Sequence, residues 1–145
     1  MDFKQFIDYF SAALIPLIAI ITTYIAYQQY RTNKLRLKHD LFERGWSVYK
    51  TIMETLEAVI REGNISDDKL LKFNIERAKS YFLFDESLYK YIDEIYEKLV
   101  DLQEMNSATE EEKAKNAKKQ GELKKWFIAQ IKVTKEKFHK CLNLH

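Results

Sequence analysis

The chain has few of the residues that break helices or form turns. Its 145 residues include three glycines and one proline, too few for an all-β domain with many tight hairpins, whereas leucine, isoleucine, glutamate and lysine abound. The single cysteine, Cys141, excludes an internal disulfide and suits a reducing compartment. The composition therefore predicts an all-α protein of single-domain size.

The chain also lacks a strong charge of either sign and a glycine-rich loop. The net charge is +2, so no global field favours nucleic acid or acidic partners. The three glycines, Gly45, Gly63 and Gly121, are dispersed, and a phosphate-cradling loop needs clustered glycines. We expect no nucleotide hydrolysis and no cofactor.

One segment lacks charged side chains altogether, between Asp8 and Arg31. Its 22 residues would rise about 33 Å as a helix, roughly the thickness of the hydrocarbon core of a bilayer. Amphipathic rings stand at both ends, as expected at the two headgroup levels: Phe6, Tyr9 and Phe10, then Tyr24, Tyr27 and Tyr30. The pattern predicts a transmembrane helix; the alternative is a buried core helix.

The charges that flank this segment predict its orientation. The slightly acidic leader differs from the basic leader of a secretory signal peptide, so we expect the span to be retained. A basic collar without an acid follows it: Arg31, Lys34, Arg36 and Lys38. By the positive-inside rule the N-terminus is outside and the rest is cytoplasmic. We divide the chain into residues 1–30, with the single-pass transmembrane helix, and residues 31–145, a cytoplasmic helical bundle.

A stripe of mostly small residues runs along one face of the predicted span. Its members recur at spacings of 4-3-4-3-4: Ala12, Pro16, Ala19, Thr23, Ala26 and Tyr30. Small side chains let helices approach closely in a bilayer, so we expect several copies to pack there, lining a narrow pore with the basic collar at its cytoplasmic mouth. The alternative is a plain anchor whose alanines share a face by chance.

The helical pattern continues past Gln28 without a breaker, as far as "REGNISDD". There Gly63 or Asn64 can take a left-handed cap conformation and Ser66 can cap the next helix. Further helices are predicted at about 67–83, 86–105 and 109–142, the last one opened by a capping box of Thr109 and Glu112. The fold class is thus all-α: one N-terminal transmembrane helix that continues into a bundle of about four helices.

Apolar spacing assigns a core face to each cytoplasmic helix. The positions are Leu35, Leu41, Phe42, Trp46, Tyr49, Ile52, Met53, Leu56, Val59 and Ile60; then Leu70, Leu71, Ile75, Ala78, Tyr81 and Phe82; then Leu88, Ile92, Ile95, Leu99 and Leu102; and finally Leu123, Trp126, Phe127, Val133, Thr134, Phe138, Cys141 and Leu142. The segment "EEEKAKNAKKQGELKK" is polar, and we favour a solvated helical extension over a loop around Gly121 or a partner surface. Gly45 either permits close packing beside Trp46 or is merely tolerated.

Patterns that would carry chemistry are incomplete. His39 with Glu43, and Glu136 with His139, have the spacing of ligand pairs on a helix, but a di-iron bundle needs further glutamates, and surface positions are the preferred interpretation. Ribonucleases of the HEPN type place an arginine four to six residues before a histidine, whereas Arg36 is three before His39. We therefore expect no enzyme activity and no metal site.

Two segments of the chain resemble known proteins: "YIAYQQYRTNKLRLKHDLFERGWSVYKTIMETL" and "FLFDESLYKYIDEIYEKLVDL". They are similar to small bacterial membrane proteins with one span, a basic juxtamembrane helix and a helical cytoplasmic domain, found in anti-phage loci. The arrangement also resembles the accessory membrane protein of type VI-B CRISPR systems. This resemblance implies an oligomeric pore in the bacterial inner membrane, with an inactive HEPN-like domain that enhances an RNA-guided ribonuclease. Gly45 stands where the group's "ERRW" pattern has an arginine.

The leading functional hypothesis is a homo-oligomeric membrane effector whose partners are the lipid bilayer, other copies of itself and a cytoplasmic defence protein. Two alternatives stay open. One is a membrane-tethered adaptor that recruits a soluble partner. The other is a nucleotide or RNA sensor that uses Lys118, Lys119, Lys124 and Lys125, although acids interrupt this basic run and nucleic acid is not the favoured partner.

Overall fold

The computed structural model describes residues 3–143, which form four α-helices and no strand. The helices are α1 (Phe3–Glu62), α2 (Asp67–Leu83), α3 (Glu86–Ser107) and α4 (Glu110–Asn143). The prediction of an all-α chain with about four helices is confirmed, and so is the uninterrupted passage of α1 from the apolar segment into the charged one.

The chain divides into two compact units, residues 1–40 and 41–145. In the first unit α1 passes through Pro16 without a break, and every side chain described there is exposed. In the described chain one helical stretch, Ile7–Glu62 of α1, is long and apolar enough to cross a membrane. Its most apolar 18-residue window has a mean hydropathy of 1.9, and none of that window is buried. The domain boundary predicted after residue 30 stays a prediction.

The second unit has one continuous hydrophobic core to which all four helices contribute. The predicted seam of α3 is confirmed, since all five of its residues are buried. Around it pack the other core residues: Val48, Ile52, Leu56 and Val59 of α1, Ile65 of the first connection, Phe73 of α2, and Leu123, Phe127 and Phe138 of α4. Full burial of a side chain of this size stabilises the fold by about 1.5–3 kcal/mol.

The core-facing stripe predicted for α1 is correct only in its second half. Burial begins at Gly45 and Val48, whereas Leu35, Leu41, Phe42 and Trp46 are exposed. Amphipathic spacing shows which residues share a face, but the extent of burial depends on how far the neighbouring helices reach.

The connection between α1 and α2 forms as the glycine pattern predicts. Gly63 takes a φ of +69° and its N–H donates to the Val59 carbonyl at 2.8 Å. From the end of α3, Asn106 Nδ2 donates to the Gly63 carbonyl at 3.1 Å and to Asn64 Oδ1 at 3.0 Å. Ser66 occupies the N-cap position of α2, but its side chain makes no capping hydrogen bond, so the predicted role of its hydroxyl is wrong.

The starts of α3 and α4 are capped by side chains. Asp85 Oδ1 accepts from the Leu88 N–H at 3.3 Å. Glu112 Oε2 accepts from the Thr109 N–H at 3.2 Å and from the Thr109 hydroxyl at 3.1 Å. The predicted capping box thus forms its glutamate half, while the threonine hydroxyl turns to the same carboxylate.

The core face predicted for α2 is wrong. Phe73, Glu76 and Ser80 are the buried residues of this helix, whereas five of the six predicted positions are exposed: Leu71, Ile75, Ala78, Tyr81 and Phe82. The buried face is held to α3 by Arg77, which bonds Asp93 and lies with its Cζ 4.1 Å from the centre of the Tyr96 ring. Long-range polar and cation–π contacts therefore contribute, together with the burial of Phe73, to the choice of the face of α2 that turns inward.

The polar segment of α4 is a helical extension. The helix runs unbroken through Gly121, so a loop around that residue is excluded, and most side chains of residues 111–122 are exposed. Beyond this segment Leu123, Phe127, Thr134 and Phe138 are buried, as the apolar stripe predicts.

Candidate functional site

The predicted packing stripe of the span lies on one exposed helical face. Ala12, Pro16, Ala19, Thr23, Ala26 and Tyr30 are all exposed and all helical. Because Pro16 has no N–H, the carbonyl of Ala12 lacks its partner within the helix. The stripe is continuous in the helix and is not covered by any described side chain of the first unit.

Hydroxyl groups of the span are satisfied by their own helix. Thr23 Oγ1 donates to the Ala19 carbonyl at 2.7 Å, and Thr22 Oγ1 donates to the Ile18 carbonyl at 2.9 Å. A polar group in hydrocarbon needs an internal partner, and back-bonding to the preceding turn supplies one. Both threonines therefore suit an apolar surrounding as well as a weakly polar channel wall.

The four residues of the basic collar do not all lie on one side of the helix. Arg31, Lys34, Arg36 and Lys38 are all exposed. At about 100° per residue, Lys34 lies about 40° from the direction of the stripe at Tyr30, whereas Arg36 lies about 120° away on the other side. Of the four cations, Lys34 continues the stripe most directly.

A second exposed apolar surface, the α2 face, consists of Leu71, Ile75, Ala78 and Phe82. These residues recur at spacings of 4-3-4 and lie on the side of α2 that turns away from the core. Phe82 is 85% exposed and Leu71 is 60% exposed. Such spacing is typical of helices that pack on another helix, and contiguous exposed apolar residues mark interaction surfaces.

Next to this face lies a cleft between α1 and α2, here called the Glu76 cleft. It has a volume of about 520 Å³, within the range typical of small-molecule sites. Its lining consists of Arg44, Ser47, Glu76, Lys79, Phe82 and Leu83. Sequence analysis assigned no role to any of these residues except Phe82.

Glu76 is the unusual member of the cleft. It is only 7% exposed, and Lys79 Nζ donates to its Oε1 at 2.6 Å. Its Oε2 is buried and has no hydrogen-bond partner. A buried acceptor left unpaired typically costs about 1–3 kcal/mol, and more if it is charged. The one sequence signal for Glu76 is its position on the same side of α2 as Phe73 and Ser80.

A buried polar cluster ties α3 to α4. The Tyr91 hydroxyl lies 2.8 Å from Thr134 Oγ1 and donates to Gln130 Oε1 at 3.1 Å. Burial raises the pKa of Tyr91, opposed by the hydrogen bond with Thr134, while the Glu94 carboxylate adds to the rise. The Tyr91 hydroxyl, Thr134 Oγ1 and Gln130 Oε1 are paired with one another, so the cluster is a structural element of the core.

Of the side chains that sequence analysis considered for chemistry, His39 and Glu43 lie close together: with Asp40, each offers one ligand atom within 4.8 Å of the others, and all three residues are exposed on α1. His39, Glu136 and His139 are exposed. Burial raises the pKa of the Cys141 thiol, with a further rise from Asp85 and an opposing effect of Lys137, which disfavours the nucleophilic thiolate.

Of the two aromatic residues next to the basic residues of α4, only Trp126 reaches the surface, where it lines a shallow pocket with Lys119. Lys118, Lys119, Lys124 and Lys125 are exposed, but Phe127 is fully buried and Trp126 is partly buried against the core. Base stacking on Phe127 is therefore excluded.

A groove at one end of the bundle is lined by aromatic rings. Trp46 and Tyr49 have ring centres 5.1 Å apart, and Tyr49 lies 5.4 Å from Phe138. The groove has a volume of about 310 Å³ and also borders Phe42, His139 and Leu142. Lys135, which is exposed, also lines it, so the groove offers apolar contact together with one cationic group.

Comparison with known proteins yields no relative. No family model, no curated protein and no solved structure matches the chain. Functional inference therefore depends on the residues themselves.

Proposed function

We propose that the chain is a homo-oligomeric membrane effector that changes the permeability of a membrane. The supporting observation is the exposed first unit, in which α1 carries an apolar window of mean hydropathy 1.9 with none of it buried. So much exposed apolar surface is stable when lipid or another protein covers it. In this proposal lipid covers Leu14, Ile18 and Ile21, and other copies cover the small-residue stripe.

The stripe supports association between spans. In hydrocarbon, apolar bulk gives no net drive for helices to associate, so close backbone approach at Ala12, Ala19 and Ala26 supplies the contact energy. The freed carbonyl of Ala12, one turn before Pro16, offers an acceptor to a neighbouring span or to water in a channel. Lys34, which continues the stripe, sets the charge at the mouth and favours anions there.

The α2 face supports assembly outside the membrane. Its 4-3-4 spacing gives a second copy, or another protein, a helix surface on which to pack. Association of the second units would bring the spans together at high effective concentration. Membrane contact alone then needs to be only weakly favourable.

The remaining parts of the proposal rest on the charge pattern of the sequence, which concerns location and orientation, and on the resemblance to membrane proteins of anti-phage loci. These parts are a HEPN-like topology of the bundle, a location in the bacterial inner membrane with the bundle in the cytoplasm, and a role in anti-phage defence beside an RNA-guided ribonuclease. The absence of a matching family leaves these to experiment.

A span exchange tests the proposal. Residues 9–30 are replaced by an unrelated monomeric span in the full-length protein, and both proteins are reconstituted into dye-loaded vesicles. An effector loses dye release or ion conduction and retains membrane insertion. Conduction that survives the exchange, or a native protein that is monomeric and never conducts, would overturn the proposal.

The second candidate is a membrane-tethered adaptor, which the α2 face also favours. An adaptor binds its partner through this face and keeps its activity after the span exchange. The pair Ile75→Lys and Phe82→Lys should abolish recruitment, whereas Lys72→Glu on the same helix should not.

A further inference from the structure

We propose that the Glu76 cleft binds a small nucleotide whose base carries an amino group, with an adenine nucleotide as the probe. The proposal rests on the lining residues and does not depend on membrane conduction. It also differs from nucleic-acid binding by the lysines of α4, since the cleft lies between α1 and α2.

The unpaired oxygen of Glu76 calls for a hydrogen-bond donor. Among the side chains that the structure describes, Glu76 is the only buried acid. Lys79 occupies one of its oxygens and leaves the other without a partner. The terminal torsion of glutamate is broad, so in this proposal the carboxylate rotates on binding and presents the second oxygen to the ligand. An exocyclic amino group is such a donor.

Arg44 calls for a negatively charged group on the ligand. It is exposed and forms no ion pair with any residue of the described chain. Lys79 already shares its charge with Glu76, so Arg44 leaves the cleft with an excess positive charge. Its planar group binds phosphate through two parallel hydrogen bonds, and the Ser47 hydroxyl lies in the same cleft. The ligand therefore carries an anion as well as a donor.

The size and the apolar wall of the cleft select the class of ligand. A free amino acid also has a donor and an anion, but it would leave most of the 520 Å³ empty. Phe82 lines the cleft and is 85% exposed, so in a single copy its ring can stack with a planar base, a contact that every nucleobase can make; a partner on the α2 face would compete with the ligand for this ring. A nucleotide uses the acceptor, the cation and the ring together.

Calorimetric titration of the detergent-purified full-length protein tests this assignment. We expect AMP to bind about tenfold or more tightly than purine riboside 5′-monophosphate, which lacks only the amino group, and than adenosine, which lacks the phosphate. Glu76→Met should remove the preference for the amino group. Arg44→Gln should remove the preference for the phosphate, and Lys72→Gln, outside the cleft, should change neither.

A readout that is safe for folding comes from exposed positions. Phe82→Ser should weaken AMP several-fold, whereas Ile128→Ser, at an exposed apolar position of α4 outside both the cleft and the α2 face, should leave binding unchanged. Equal binding of inorganic phosphate and AMP, a preference for a free amino acid, an amino-group preference that persists in Glu76→Met, or no AMP binding at millimolar concentration would each overturn the proposal.

Discussion

Gly45 of α1 lies directly against Leu142 of α4: a Cβ atom at position 45 would come within 2.8 Å of Leu142 Cδ2 and within 3.4 Å of the Phe84 ring. Glycine therefore allows close packing here in an ordinary helical backbone, and any larger residue needs the end of the Leu142 side chain to move. The expectation of a close approach at Gly45 holds, but the neighbours are Leu142 and Phe84.

We predict that Gly45→Leu lowers the free energy of unfolding by about 1–3 kcal/mol, because a larger side chain must displace the Phe84 ring. Gly121→Leu is the matched control, since nothing lies within 4 Å of its Cβ position and leucine is the better helix former. It should be neutral or stabilising by up to about 1 kcal/mol. Thermal unfolding followed by circular dichroism measures both; equal effects would contradict the packing at Gly45.

The second prediction concerns Ala19 on the stripe. Ala19→Trp places a bulky ring on the face that we expect to pack between copies, so the oligomer should dissociate and conduction should be lost. Ile21→Trp lies on the opposite face of the same helix and should keep both. Crosslinking and size-exclusion chromatography of the two variants provide the comparison, and a silent Ala19→Trp would favour the plain anchor.

The third prediction is a pH dependence that originates at Tyr91. Burial raises its pKa in the folded state, so between the unfolded value near 10 and the higher folded value the native state holds more protons. Stability is thus fully present below about pH 10 and falls as the pH rises through the folded pKa. Tyr91→Phe should remove part of this alkaline loss and cost about 1 kcal/mol at neutral pH, where Thr134 and Gln130 lose a partner.

Tyr81→Phe is the control for that experiment, because Tyr81 is exposed and lies outside the Tyr91 cluster. Its stability profile should follow that of the native protein from pH 7 to pH 11. An unchanged alkaline slope in Tyr91→Phe would contradict the assignment.

The fourth prediction follows from the burial of Cys141. Its raised thiol pKa and its partial burial lower both the thiolate fraction and the access of the reagent, so alkylation of the folded protein should be slower than that of the unfolded chain. Mass spectrometry of protein treated with iodoacetamide measures the rate. A folded rate equal to the unfolded rate would show that the thiol is freely accessible.

Periodicity predicted α3 well and α2 poorly, for a physical reason. Every apolar position of the α3 seam lies on one face, so only one orientation buries them. In α2 two faces could turn toward the core: an apolar stripe, and a mixed face with Phe73, Glu76 and Ser80. Contacts of Arg77 with residues 16 and 19 positions later help settle that competition, and no local pattern encodes them. The Glu76 cleft escaped prediction for the same reason, since its residues come from separate helices.

The hydrogen bonds of Asn106 to the Gly63 turn impose an order on folding during synthesis. The left-handed bend at Gly63 can form as soon as its own residues are made, but its carbonyl gains this partner only 43 residues later. At about 5–20 residues per second that interval lasts roughly two to nine seconds. During this time the start of α2 is held only by local bonds, so an α1 that crosses a membrane, as proposed above, could insert before the bundle closes.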